Sequence, residues 1–207
     1  MECGERNVEN DTYPAPLLRT PQLDLTPSSP ILARAELEGT EVFARELAVT
    51  VPDDWPPELF DRDALVYFLE WMENGDAWER SWWTYYYYIL CEEPRVVVGV
   101  GGFKGPPSSD GVVEIGYSVI PAYQRRGLAT EAAAALVEHA FSFQAIDCVT
   151  AQTFPNLTPS IGVLRKIGFA LKGPGSEHGT ILFALSRRDW MKDAEQPATD
   201  NRQRSQP

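Results

Sequence analysis

Val112-Val113-Glu114-Ile115-Gly116-Tyr117-Ser118-Val119-Ile120-Pro121-Ala122-Tyr123-Gln124-Arg125-Arg126-Gly127-Leu128-Ala129-Thr130 sets an apolar strand, a glycine-bearing turn and a helix start in immediate succession. A helix start leaves backbone N–H groups without partners inside the helix, and the helix dipole adds partial positive charge at the same point. Phosphate binds well there. Gly127 lets the backbone come close to a ligand, Ala129 adds little bulk, and Arg125 and Arg126 bring positive charge to a chain of net charge -12. The stretch therefore predicts a nucleotide-like ligand held over residues 125–130. Its spacing is Gln-Arg-Arg-Gly-Leu-Ala, so neither the Gly-Lys-Ser/Thr phosphate loop nor the dinucleotide Gly-x-Gly-x-x-Gly is present. Kinase and dehydrogenase readings lose most of their weight, and a phosphate-binding protein for a different nucleotide stays a third option.

The elements on either side fit one mixed sheet. Upstream, Leu23–Thr26 alternates like a strand, Ser28 or Ser29 before Pro30 opens a helix to about Leu37, and a short helix covers Glu41 to Leu47. Asp61 caps a helix whose Leu65, Phe68, Leu69 and Met72 make an apolar stripe directed at the sheet. The aromatic run from Trp82 to Leu90 turns at Glu92-Glu93-Pro94 into Arg95–Val100, an antiparallel hairpin. Downstream come a helix from Gly127 to Phe143, a strand from Cys148 to Thr153, a helix from Ser160 to Ile167, and closing strands at Phe169–Leu171 and Thr180–Ser186. The reading is an α/β (α+β) single domain over 20–190, a flexible segment over 1–19 and a disordered tail over 191–207, both ends being polar and poor in large apolar residues.

Composition bounds the partners. With 18 basic and 30 acidic residues, the chain lacks the basic face that a phosphate backbone demands, so direct nucleic-acid binding is not expected. An acidic surface suits a cationic amine, although it also serves plain solubility. Three cysteines make no disulfide framework, the acidic start is unlike a signal peptide, and no apolar run reaches membrane-spanning length, so a cytoplasmic protein without membrane association is expected. His139 and His178 are far apart and lack partnering cysteines, so no metal site is expected.

The Gln-Arg-Arg-Gly-Leu-Ala loop resembles the coenzyme A loop of the GNAT superfamily of acyl-CoA N-acyltransferases. Thr153-Phe154-Pro155, followed by Pro159 to Phe169 with its Lys-Ile-Gly-Phe ending, resembles that superfamily's second motif. Order and wording are similar to the branch containing the ribosomal-protein alanine N-acetyltransferases, over residues 20 to 187. The resemblance implies a GNAT-like fold, a central mixed, mostly antiparallel twisted sheet with helices on both faces, and acetyl-CoA as co-substrate with no metal. It implies an acetyltransferase acting by direct attack in a ternary complex, on a small-molecule amine or a protein N-terminal amine, and a homodimer. The alternative is a non-enzymatic CoA-binding sensor that kept the loop but lost its acid.

N-acyl transfer needs a held thioester, a free amine, an oxyanion donor and a proton for the leaving thiolate. Backbone from Arg125, Arg126, Gly127, Leu128, Ala129 and Thr130 is expected at the pyrophosphate, and backbone at Val119 and Ile120 at the acyl and pantetheine end. Glu114 shares a strand face with Gly116, Ser118 and Ile120, which makes it the general-base candidate, or else a structural carboxylate. Many superfamily members carry Tyr where this chain has Leu164, which has no proton to give. Ser160 matches the Ser of the alanine acetyltransferase branch and becomes the proton donor, or orders a water, while also fitting a helix N-cap. The branch's Asn is displaced by one place to Asn156, a further coenzyme candidate. Trp55 in an acidic loop, with Tyr85, Tyr87 and Trp82 or Trp83, would wall the amine pocket, although such aromatics also serve as core.

Overall fold

The computed structural model describes residues 15–58, 60–74 and 83–195. In chain order these form β1 (Leu18–Arg19), β2 (Leu23–Pro27), α1 (Pro30–Glu38), α2 (Thr40–Leu47), α3 (Arg62–Asn74), β3 (Tyr85–Leu90), β4 (Val97–Phe103) and β5 (Val112–Val119). A 3-10 turn (Pro121–Tyr123) then leads into α4 (Leu128–Ser142), β6 (Cys148–Thr153), α5 (Thr158–Ile167), β7 (Ala170–Pro174), β8 (Ile181–Ser186) and α6 (Arg187–Glu195). All strands join one sheet in the order β1-β2-β3-β4-β5-β6-β8-β7. Among these named strands of the described residues, only the β5–β6 pair is parallel.

Local chemistry sets the helix starts. Ser29 Oγ accepts from the Leu32 N–H at 3.2 Å with Pro30 in the first turn, and Asp61 Oδ1 accepts from the Ala64 N–H at 2.9 Å. Both faces of β3 are buried. Tyr86, Tyr88 and Leu90 of β3 pack with Leu128, Leu136 and Val137 of α4 in one apolar cluster, while Tyr85, Tyr87 and Ile89 pack with Phe43, Leu65 and Met72 in the other. β4 is thin for a reason. A Cβ at Gly101 would stand 2.1 Å from the Tyr88 hydroxyl and 2.4 Å from the Gly116 carbonyl, so glycine there lets the Tyr88 ring lie across β4 towards β5.

Described elements lie on either side of residues 20–190. Leu18 pairs with Leu25 and Arg19 with Asp24, inside the segment expected to be flexible. α6 continues past residue 191 to Glu195, where a disordered tail was expected. α6 is short, but its start is fixed. The Arg187 guanidinium donates to the carbonyls of Phe141, Phe143 and Ile146, and Ser186 Oγ accepts from the Asp189 N–H at 3.1 Å. Residues 1–14 and 196–207, and Trp82, lie outside the described residues.

Candidate active site

The parallel pairing of β5 with β6 covers only Val112, Val113 and Glu114 against Cys148, Val149 and Thr150. Beyond it, β5 stays on β4 as far as Val119 opposite Gly99, and β6 stays on β8 as far as Thr153 opposite Ile181. The two strands therefore part after Glu114 and leave a cleft in mid-sheet. Lys104 N–H donates to the Glu114 carbonyl at 2.9 Å and Ile120 N–H to the Val98 carbonyl at 3.0 Å, so β5 residues of that parity bond to β4. Antiparallel alternation then turns the backbone N–H groups of Tyr117 and Val119 towards the cleft. The Val119 carbonyl is already held by Gln124 Nε2 at 2.9 Å.

At the end of β5 the chain forms an anion cradle. Arg125 has φ 62° and Gly127 φ 86°, both left-handed, which folds the turn tightly into α4. The Glu131 N–H donates to the Gly127 carbonyl at 3.0 Å, leaving the N–H groups of Leu128, Ala129 and Thr130 without an intrahelical acceptor. A Cβ at Gly127 would meet no protein atom within 4 Å, so the space before the helix is open. Arg126 stands 5.1 Å above the Tyr123 ring, with Nη2 3.8 Å from Glu92 Oε1, exposed and within reach of an anion.

The two faces of β5 carry different chemistry. On the face shared by Glu114, Gly116 and Ser118 lies a cavity of about 450 Å³ lined by Lys104, Glu114, Gln152, Ser176 and Glu177 among others. Lys104 Nζ is 2.8 Å from both Glu114 Oε1 and Glu177 Oε1, and Gln152 Nε2 donates to Glu114 Oε2 at 2.9 Å. Burial works against the Lys104 charge, but the hydrogen bonds and charges of Glu114 and Glu177 outweigh it and hold the ammonium above its ordinary range. On the opposite face the Tyr117 hydroxyl lies 3.1 Å from the Ser160 carbonyl and 3.2 Å from Ser160 Oγ. Burial pushes the Tyr117 phenol up to about 12 against a smaller lowering by Ser160, so it carries its proton at every working pH.

The acetyltransferase (GNAT) domain family matches residues 34–170. The uncharacterized N-acetyltransferase YjdG of Bacillus subtilis is 30% identical over 170 residues, covering 81% of this chain and 97% of its own. The chain belongs to the GNAT acetyltransferase family. It is therefore an acetyl-CoA-dependent N-acetyltransferase. An acetyltransferase from Agrobacterium tumefaciens shares the fold at TM-score 0.57 and 20% identity, over 89% of this chain and all of its own. Mycobacterium smegmatis RimJ, solved with a CoA disulfide, does so at 0.55 and 19%, over 80% of this chain and 82% of its own.

Against this GNAT frame the expected residues divide. Arg125, Arg126, Gly127, Ala129 and Thr130 stand together at the cradle, whereas the Leu128 side chain is buried core, so Leu128 offers only its backbone. Ile120 departs from expectation, because its N–H is bonded to Val98 and its carbonyl accepts from Tyr123 N–H at 3.0 Å. Val119 alone of that pair has its N–H towards the cleft. Ser160 is not an N-cap: α5 begins at Thr158, which puts Ser160 inside the first turn, beside Tyr117. Asn156 is exposed in the turn before α5.

The aromatic wall is corrected more sharply. Tyr85 and Tyr87 are 1% and 0% exposed, with hydroxyls 3.1 Å apart, and Tyr87 donates to Glu36 Oε2 at 2.7 Å. They are core residues because α1, α2 and α3 cover their face of β3. Trp83 is equally buried, edge-on to Phe103. Trp55 stays half-buried, its Nε1 donating to Glu36 Oε1 at 2.7 Å, and this bond tethers the 52–60 loop. The same loop reaches β5, where Ser118 Oγ donates to the Glu58 carbonyl at 2.7 Å.

Sequence reasoning missed Tyr117, Lys104 and Glu36. A period-two reading puts Tyr117 opposite Glu114, the one signal that it faces other chemistry. Lys104 and Glu36 meet their partners only through the fold. Among the described residues no group of three or more His, Cys, Asp and Glu could hold a metal ion, and no helix is long and apolar enough to cross a membrane.

Proposed function

We propose that the protein moves the acetyl group of acetyl-CoA to a primary amine by direct attack in a ternary complex, with no acetyl-enzyme between. The observation that carries this reading is the break of β5–β6 pairing after Glu114, which opens a path from the Arg125–Thr130 cradle to the Val119 N–H. In this reading backbone N–H groups of 127–130, the Thr130 hydroxyl and Arg126 hold the pyrophosphate, with Asn156 a further contact to the coenzyme. The Val119 N–H receives the carbonyl oxygen as it becomes an oxyanion.

The amine enters from the Glu114 face. Glu114 lies four residues from Ser118, ~13 Å along the strand, so it takes the ammonium proton through a chain of ordered waters rather than by contact. The nitrogen lone pair then attacks the thioester carbon, the C–N bond forms, the nitrogen gives its second proton to the same waters, and collapse of the tetrahedral intermediate breaks the C–S bond. The thiolate leaves on the opposite face, where the paired hydroxyls of Tyr117 and Ser160 return a proton to sulfur. These hydroxyls stand in for the tyrosine that Leu164 replaces. Half-buried Trp55 lines the amine entrance.

One neighbour in fold is RimL, a ribosomal L7/L12 alpha-N-protein acetyltransferase, at 16% identity and TM-score 0.57. A protein N-terminal amine and a small primary amine are both compatible with an open, polar, acid-lined cavity. Acetyl-CoA turnover against a panel of peptides with free N-termini, amino acids and small amines tests the reading. Sustained CoA release with some amine supports it, and no release with any amine despite tight acetyl-CoA binding sinks it.

A further inference from the structure

One segment bridges from the helices to β5 across the Glu114 face. Tyr87 of β3 stands opposite Val100 of β4, and Val100 opposite Ser118 of β5, so the three form one row on the face that Gly116 and Glu114 share. Neighbouring strands lie ~4.8 Å apart, which puts Ser118 ~10 Å from Tyr87. Residues 52–58 span that gap. At the near end Trp55 Nε1 donates to Glu36 Oε1 at 2.7 Å, while the Tyr87 hydroxyl donates to Glu36 Oε2 at 2.7 Å. At the far end Ser118 Oγ donates to the Glu58 carbonyl at 2.7 Å, and the Ala122 N–H donates to Asp54 Oδ2 at 3.5 Å. Ser118 and Ala122 flank Val119, whose N–H faces the cleft. A carboxylate suits the near anchor, because each oxygen accepts from a separate donor, one on the sheet and one on the segment, whereas a side-chain amide has a single acceptor oxygen. The Trp55 ring also packs on Phe43 with centroids 5.7 Å apart, which keeps the indole over the sheet while its bond to Glu36 sets its orientation.

We infer that Glu36 is a positioning residue for acetyl transfer: through Trp55 it fixes the 52–58 segment against β5 on both sides of Val119, and so sets how the acceptor amine meets the acetyl carbon. This inference rests on the acetyltransferase reading and on the Val119 N–H as the oxyanion site. Glu36 acts through Trp55 and exchanges no proton with either substrate. Cutting the Glu36–Trp55 bond frees the segment at one end, so the amine is held and aimed less well. The cradle at 125–130 takes no part in this anchor, so acetyl-CoA binding is spared.

The test uses the full chain with acetyl-CoA and two amine probes, trialanine and n-butylamine, beside the wider amine panel. Glu36→Gln and Trp55→Phe are each expected to lower kcat/KM for the amine by ~10-fold, the weight of one hydrogen bond to a charged group, with the Kd of acetyl-CoA within about twofold. Combining the two should cost no more than either alone, because both cut the same bond. Ser118→Ala, which releases the far end, should lower kcat/KM by roughly 2- to 10-fold. Val137→Ala, a core change among the residues packed on the opposite face of the sheet, should lower Tm and leave kcat/KM unchanged. Amide exchange over 52–58, read without any acceptor, should quicken by ~10-fold in Glu36→Gln and Trp55→Phe. Unchanged exchange, additive losses in the double variant, or an equal fall of kcat/KM in Val137→Ala overturns the inference. Unchanged kcat/KM in Glu36→Gln and Trp55→Phe, where wild type turns over amines, overturns it and leaves the acetyltransferase reading standing. Tight acetyl-CoA binding by wild type with no CoA release on any amine overturns the two together.

Discussion

Gly127→Ala separates the conformational role of the loop from its binding role. Gly127 has φ 86° and ψ -9°, a left-handed conformation that costs a residue with a Cβ ~1–2 kcal/mol. The added methyl meets no protein atom within 4 Å, so no clash within the protein adds to that figure. For a chain of this length the strain corresponds to a fall in Tm of roughly 2–8 °C. The same methyl projects into the space before α4 that the account gives to the pyrophosphate. Loss of acetyl-CoA affinity should therefore exceed what strain explains, by ~10-fold or more, because one lost charge-assisted hydrogen bond is worth roughly 1.5–3 kcal/mol and each 1.4 kcal/mol is a factor of ten. Gly179→Ala is the matched control, with φ 79° and its Cβ at an ordinary 4.0 Å from Phe154. Calorimetric titration and thermal melts of both variants decide the matter. Equal stability losses with a weakened Kd only for Gly127→Ala are expected. Unchanged affinity in Gly127→Ala, or equal weakening in both, would refute the placement of the phosphate.

Other consequences follow from the same geometry. Glu114→Gln should lower kcat/KM for the amine by ~10²–10⁴-fold while leaving the Kd of acetyl-CoA within about twofold, checked by steady-state rates beside titration. Tyr117→Phe combined with Ser160→Ala should cost far less than the product of the single losses if the two hydroxyls, 3.2 Å apart, act as one proton source as proposed, and a double-mutant cycle on kcat reads this. Burial raises the Glu36 carboxyl above its ordinary 4.5, against smaller lowering by Tyr87 and Trp55. Its contribution to stability is complete below the unfolded value and is lost as pH rises through the raised one. Denaturant unfolding should therefore show wild type losing ground to Glu36→Gln as pH climbs from about 4 towards neutrality, and a constant difference would count against the buried network.

Much of this was legible in local sequence. The strand, turn and helix of 112–142 carry their own signals, since strand alternation, a positive-φ glycine and an alanine-rich helix are short-range facts. The same holds for the Ser29 and Asp61 caps. What escaped was set by tertiary contact. β3 reads as a strand, but its tyrosines alternate between two faces that are both covered, so propensity could not tell a pocket wall from core. Ser160 lies 43 residues from Tyr117, and Lys104 lies 73 from Glu177, so no spacing rule joins them. Ile120 looked as free as Val119 until the register showed which backbone groups β4 consumes.

The central claim is direct transfer to an amine from acetyl-CoA lodged in the β5–β6 cleft. Initial rates of CoA release, measured with acetyl-CoA and a competent amine both varied, test it most directly. The account predicts sustained release beyond one equivalent per chain only when amine is present, with double-reciprocal lines that intersect. Parallel lines, or sustained release that ignores the amine, would contradict it.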